Sequence, residues 1–271
     1  MKIVKRLLFF FIGLILLLVV AGVGLTYLYK DDIISKVKTD INKNFNADID
    51  FGSVDLSILS SFPHFKFQME DFSITGKEEF TDLKLINAAG VEFTLDIMSV
   101  IQSERPIEIQ SVHLRSPKVH VKVLESGKSN YDIGAATAAP TEPTTSTEEY
   151  NFVIQLEQYS IKDATLVYED LAGDLFLELL DLNHEGKGNF TQDIYDIYTK
   201  TQVSSITAKT GGIKYVNKAQ GDLDVTLNAD MNKMRFSLKD NELLLNALKL
   251  KADGFIEIAD NSDMTMDLKF Q

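Results

Sequence analysis

Cysteine is absent from the 271 residues, which excludes disulfides and thiolate metal sites at once. An exported protein without disulfides suits a bacterial periplasm better than a eukaryotic secretory route. Tryptophan is absent too, while 17 Phe and 9 Tyr supply the aromatic content that a β-rich body favours. Basic residues are in deficit. The 27 Lys and Arg stand against 40 Asp and Glu, giving a net charge of -13 and a pI near 4.8. That balance argues against nucleic acid as a partner, and against a basic surface that would lie on anionic headgroups.

Groupings that carry chemistry are also missing. The four histidines, His64, His113, His120 and His184, show no zinc-ligand spacing with a carboxylate partner. His113 and His120 fall near one another in the strand pattern, where ordinary polar-face positions account for them. Ser35-x-x-Lys38 matches a serine–lysine nucleophile only in form, because it falls on a membrane-proximal helical stretch. Gly186-Lys187-Gly188 and Gly211-Gly212 are too short for phosphate loops, and the carboxylates are scattered over polar faces and turns. The expectation is a non-enzyme, with no catalytic residue, no metal and no cofactor.

One long apolar run is present. Leu7 to Tyr29 carries no charged side chain. At about 1.5 Å per residue, a helix of that length covers roughly 30 Å of hydrocarbon. Lys2, Lys5 and Arg6 precede it and Lys30, Asp31 and Asp32 follow. The N-terminus is therefore expected in the cytoplasm and the bulk of the chain in the periplasm, beyond a bacterial inner membrane. A cleaved secretory signal is the competing reading, kept open by the small residues Ala21, Gly22 and Gly24. Such signals have shorter apolar cores, and Tyr27 and Tyr29 stand where interfacial anchors belong. Residues 1–30 are thus read as an uncleaved anchor.

The period then changes. Ile33, Ile34, Val37, Ile41 and Phe45 make one helical stripe, opposed by Lys36, Lys38, Asp40 and Lys43. Such a short amphipathic helix either caps the following sheet or lies on the membrane. From Asp48 onward the apolar residues recur at every second position. Phe65, Phe67 and Met69 form one such set, Val91, Phe93 and Leu95 another, and Val119, Val121 and Val123 a third. Gly76, Ala89-Gly90, Ser116-Pro117 and Ser126-Gly127 read as turns between the strands. Residues 134–149, GAATAAPTEPTTSTEE, hold no large apolar side chain and form a flexible linker. Strand patterns resume over residues 150–271, with one helix-like stretch near Leu171 to Leu182. Met264 to Phe270 alternates up to Gln271, so the natural protein is expected to be longer or to pair this strand elsewhere.

A looser pattern, apolar-x-apolar-x-x-apolar-x-apolar and a turn, occurs four times. Its copies are Phe67, Met69, Phe72 and Ile74; Ile107, Ile109, Val112 and Leu114; Ile154, Leu156, Tyr159 and Ile161; and Leu243, Leu245, Leu248 and Leu250. Asp163 reads as the turn closing the third copy. An odd step would turn the second half of each strand to the other face, so a bulge or register break is expected there. The spacing between copies is irregular, which argues against a solenoid.

The first 133 residues resemble the AsmA family of bacterial envelope proteins. The resemblance lies in the order of features: a membrane helix, an amphipathic stretch, then NADIDFGSVDLSILSSFPHFKFQMEDFSITG. That segment holds the Gly52 turn, the Phe62-Pro63 step and an apolar-x-apolar-x-Asp-apolar-x-apolar strand. Leu83 to Ile101 and PIEIQSVHLRSPKVHVKVLESGKSNYDI, ending near Asn130 and Tyr131, continue it. Residues 31–133 are accordingly an AsmA-like, chorein-like segment, and residues 150–271 match in strand style alone. Family members usually run far longer.

The resemblance implies a mainly β fold: an elongated, twisted and mostly antiparallel sheet behind the anchor, forming a groove. It further implies lipid binding or channelling in envelope homeostasis, with a phospholipid or another envelope lipid as ligand. The proposed lining is Phe65, Phe67, Met69, Val91, Phe93, Leu95, Val119, Val121 and Val123. The competing reading of these residues is a closed dry core. An alternative function is a scaffold that recruits an envelope protein by strand addition.

Overall fold

The computed structural model describes residues 35, 38, 39, 42, 45–57, 64–96, 107–133, 152–189, 192–258 and 264–271. The anchor at Leu7 to Tyr29, most of the amphipathic stripe and the 134–149 linker lie outside the described residues. The chain divides into two units, Met1–Phe45 and Asn46–Gln271. In the first, Ser35, Lys38, Thr39 and Asn42 are helical, and Thr39 Oγ1 donates to the Ser35 carbonyl at 2.8 Å. Among the described residues no helix is long and apolar enough to cross a membrane.

The second unit is one mixed sheet of 13 strands. They are β1 (Ala47–Asp50), β2 (Val54–Ser57), β3 (His64–Gly76), β4 (Lys84–Asp96), β5 (Ile107–Arg115), β6 (Lys118–Val123), β7 (Phe152–Asp170), β8 (Leu175–Gly188), β9 (Ile194–Thr210), β10 (Ile213–Asp230), β11 (Arg235–Leu245), β12 (Leu248–Ile258) and β13 (Met264–Phe270). A single 3-10 turn at Glu78–Phe80 connects β3 to β4 and buries Phe80. From β8 onward every strand pairs antiparallel with its predecessor. The β9–β10 turn uses Gly211 and Gly212, whose φ values of 58° and 72° suit a two-residue hairpin and few residues besides glycine.

The early strands are arranged differently. β1 and β2 lie end to end along β3, with Asp50 opposite Ser73 and Val54 opposite Met69. β5 and β6 likewise make one interrupted line between β4 and β7. Ser116-Pro117 is therefore a break within that line, not a reversal. Across it, Ser116 N donates to the Lys162 carbonyl at 2.8 Å, and Thr165 N donates to the fully buried Pro117's carbonyl at 2.9 Å. Both β5 and β6 run parallel to β7. Parallel neighbours need a crossover of roughly a dozen residues or more. The crossover is the stretch between Val123 and Phe152, which includes the whole low-complexity linker.

A seam of kinks crosses these strands. Glu70, Gly90, Arg115 and Lys162 form one row over β3, β4, β5 and β7. The next residue in three of those strands has positive φ: Asp71 at 54°, Ser116 at 45° and Asp163 at 54°. Asp181, at 50°, does the same in β8. Aspartate tolerates this left-handed conformation better than most side chains because its short polar group can bond locally. Asn183 assists here, its Oδ1 accepting from Asp163 N at 3.1 Å. Asp163 is thus an interior residue of β7 and not the turn expected after the third copy.

The four-copy pattern proves to be three different devices. In the first copy Asp71 kinks β3 while the pairing with β4 stays in step through Glu70–Gly90 and Phe72–Ala88. The second and third copies hold true register breaks. Between the Ile109–Ile154 and Ser111–Gln158 pairs, one β5 residue faces three from β7. The fourth copy is a hairpin, with Leu243 opposite Leu250, Leu245 opposite Leu248 and Asn246 at φ 51° in the turn. A two-residue turn and a two-residue bulge leave the same apolar spacing.

Two further expectations are corrected. Ala89-Gly90 lies inside β4, where Gly90 is paired on both sides. The helix-like stretch from Leu171 is a turn, in which Gly173 N donates to Asp170 Oδ1 at 2.8 Å, followed by β8. Its apolar residues Leu175, Phe176, Leu177, Leu179 and Leu180 belong to β8, which is paired along both edges by β7 and β9.

Candidate functional site

Cross-strand register sorts the side chains of the sheet into rows, and alternate rows differ in kind. One row runs Val54, Met69, Val91, Leu114, Ile161, His184, Thr201, Leu223, Leu243 and Leu250. The next row along the same face is Phe67, Phe93, Val112, Tyr159, Gly186, Thr199 and Val225. Between them lies Gln68, Glu92, His113, Ser160, Glu185, Lys200, Asp224 and Glu242. Successive strand residues point to opposite faces. This half of the sheet therefore has one mainly apolar side and one polar side across eight strands.

Beyond the seam the apolar side continues. Ile49, Ile74, Ile86, Val119, Leu166, Leu179, Ile206 and Ala219 are directly opposed in turn. Gly221 ties the two halves together. It is two residues from Leu223, and a Cβ built on it would meet Ile206 Cδ1 at 2.7 Å. The rows before and after the kinks therefore face the same way there, which is what a local break in alternation achieves.

The expected lining residues fall into this pattern with differing surroundings. Phe67 and Phe93 are opposed, with ring centroids 6.3 Å apart and planes tilted by 44°. Met69 opposes Val91, and Phe65 is placed by backbone register alone, opposite Leu95. Val119 and Val121 oppose Leu166 and Tyr168, and Val123 opposes Asp170. Val91 and Val123 are buried, whereas Phe67, Met69, Phe93, Leu95, Val119 and Val121 are half-buried. Val121 differs from the others. It packs against the closed cluster of Ala47, Ile74 and Leu85, which Ile133 also joins, so one corner of the sheet is a dry core.

A polar trio interrupts the apolar side. His184 Nδ1 is 2.8 Å from Thr201 Oγ1, and Tyr159 OH is 3.4 Å from His184 Nε2. The Tyr159 ring lies over Gly186, where any larger residue would collide with it. Burial lowers the His184 pKa, against a smaller opposing pull from Glu185, and burial raises that of Tyr159. Single-strand alternation could not reveal this trio, since its members come from β7, β8 and β9. His113 and His120 find separate partners: His113 Nδ1 is 2.7 Å from Ser160 Oγ, and His120 Nε2 is 3.6 Å from Glu169 Oε2. Among the described residues no three His, Asp or Glu side chains are grouped to hold a metal ion.

The order of these elements can be compared with known families. The AsmA family model matches residues 1–270. The chain belongs to the AsmA family. No curated protein and no solved structure gives a match. Membership thus extends past the first 133 residues, through the long hairpins of β7 to β13. Those hairpins carry family identity without a short motif, because each contributes only alternation and a turn. In this AsmA-family chain the sheet is mainly antiparallel with a parallel step at β7.

Proposed function

We propose that this chain is a non-enzymatic envelope protein, held in the bacterial inner membrane by Leu7 to Tyr29, whose apolar sheet face binds or conducts lipid. One observation carries the reading: the rows of mostly apolar, largely half-buried side chains on one side of the sheet, broken only by the Tyr159, His184 and Thr201 trio and its threonine neighbour Thr199. A sheet with one apolar face must cover it. Acyl chains can supply that cover, each buried CH₂ contributing about 0.8 kcal/mol. Kinks at Asp71, Ser116, Asp163 and Asp181 would sharpen the twist and bend the sheet toward a groove. The polar side, laced with ion pairs such as Lys66–Glu92 at 2.8 Å, would face the periplasm. Transfer would be passive, with acyl chains shielded and headgroups left in water.

The test is the lipid content of the full chain purified in a mild detergent, read by mass spectrometry. Phospholipid is expected with the native protein and is expected to be lost from Phe93→Asp combined with Leu223→Asp. Thr94→Asp, on the polar side, should leave it unchanged. Equal lipid in all three proteins would overturn the reading.

A second reading rests on β13. This strand has β12 as its one neighbour among the described residues, and Met264, Met266 and Phe270 are 57%, 57% and 68% exposed. Such an edge favours strand addition by an envelope protein. Crosslinking from Thr265 to a partner, lost when Asp267 is replaced by Pro, would support this scaffold role.

A further inference from the structure

The polar side of the sheet holds a hollow of ≈ 560 Å³ over β5, β7, β8 and β9. The cations around it, Arg115, Lys162, Lys187 and Lys200, contrast with a chain of net charge -13. Glu185 is the one carboxylate in the lining. Three lysines elsewhere on this side are matched: Lys66 to Glu92 at 2.8 Å, Lys122 to Glu169 at 3.0 Å and Lys249 to Glu242 at 2.7 Å. Among the described residues, Lys162, Lys187 and Lys200 make no ion pair. Arg115 and Lys162 are even direct cross-strand partners, an arrangement of like charges that destabilises a sheet when nothing neutralises it. The net charge conceals this cluster because the topology gathers it from strands far apart in sequence.

We infer that this hollow binds a phosphate-bearing anion. Arg115 Nη2 is committed to Glu70 through two 2.6 Å hydrogen bonds, so this guanidinium is already paired with a carboxylate. The three lysines remain as point charges, arranged over three adjacent strands. A tetrahedral oxyanion accepts from several directions at once and matches such a set. Ser160 and Tyr198 add hydroxyls to the lining, and the Lys187 ammonium sits 5.9 Å from the Tyr198 ring. The site lies on the opposite side from the apolar rows, so its occupancy does not depend on the lipid reading. The phosphate could belong to a free metabolite or to a lipid headgroup.

The experiment is calorimetric titration of the detergent-solubilised full chain at low salt. Probes are inorganic phosphate, glycerol 3-phosphate, and the short-chain lipids dihexanoylphosphatidylglycerol and dihexanoylphosphatidylcholine. Phosphate binding is expected, and Lys162→Gln combined with Lys187→Gln and Lys200→Gln should weaken it by roughly tenfold or more. Lys66→Gln with Lys249→Gln, which removes paired lysines of the same side, should leave it unchanged. Lys162, Lys187 and Lys200 are exposed, and an unaltered melting curve confirms folding of each variant. Lysine-dependent binding of phosphatidylglycerol in addition assigns a headgroup; binding of the two small phosphates alone assigns a free ligand. Absence of phosphate binding, or equal weakening by the control pair, overturns the proposal.

Discussion

Arg115 reaches Glu70 by crossing over Gly90. Its Nη2 donates to both Glu70 carboxylate oxygens at 2.6 Å, although β4 separates their two strands. Gly90 pairs with each of them, and a Cβ built there would collide with the guanidinium. The ion pair is exposed and by itself contributes at most about 1 kcal/mol. Its geometry nevertheless fixes which residue can occupy the centre of β4.

Replacing that glycine should therefore cost more than removing the arginine. Gly90→Val is expected to destabilise by roughly 1–3 kcal/mol, and Arg115→Ala by less than about 1 kcal/mol. The double variant should recover part of the Gly90→Val loss, since the obstructing guanidinium has gone. Urea denaturation of the four proteins measures this coupling. Strict additivity would show that Gly90 matters for another reason.

The seam makes a second prediction. Asp163 stands at φ 54° in the middle of β7. Asp163→Gly should be tolerated, while Asp163→Val should cost about 1–2 kcal/mol because a branched side chain resists the left-handed region. Equal stability of the two variants would mean that the kink is not needed.

How much of this was legible in the sequence depends on distance along the chain. Alternation is a local property, so Phe67 and Met69 could be matched correctly with Phe93 and Val91 as members of one face. The recurring Asp in Glu70-Asp71-Phe72 and Lys162-Asp163-Ala164 was visible too, yet its meaning was not. A mid-strand Asp reads as a turn until pairing shows both neighbours continuing across it. Gly90 misled for the same reason: it is conspicuous because Arg115, 25 residues later, needs its space. The parallel step at β7 had only one sign, a connection long enough to return the chain. Leu243 to Leu250 shows the limit, since bulge and hairpin share one spacing.

His184 supplies a pH dependence. Its pKa is lowered from the ordinary 6.5 by burial against Tyr159 and Thr201. The unfolded chain takes up this proton first as pH falls, so unfolding gains protons in the window below about 6.5. Stability should decline there until the folded value is reached, and should be unaffected by this group above the window. Melting temperatures between about pH 7.5 and pH 5 should show the decline, and His184→Gln should reduce its slope. An unchanged slope in the variant would remove His184 from the account.

Val121 and Phe93 should respond differently to the same charge. Val121→Asp enters the closed cluster around Ala47, Ile74 and Leu85, where an unpaired carboxylate is costly. It is expected to unfold the protein or lower its melting temperature sharply. Phe93→Asp lies on the half-buried rows and should leave a folded protein. Circular dichroism melts decide between this and a uniformly closed core, in which both variants would fail alike.

The central claim is that lipid acyl chains contact one side of the sheet and not the other. Photo-crosslinking in cells tests it most directly, with benzophenone side chains at Val112 and Leu223 on the apolar side and at Glu92 and Asp224 on the polar side. Lipid adducts at the first two positions and none at the last two are the expected result. Adducts on both sides alike, or on neither, would contradict the account.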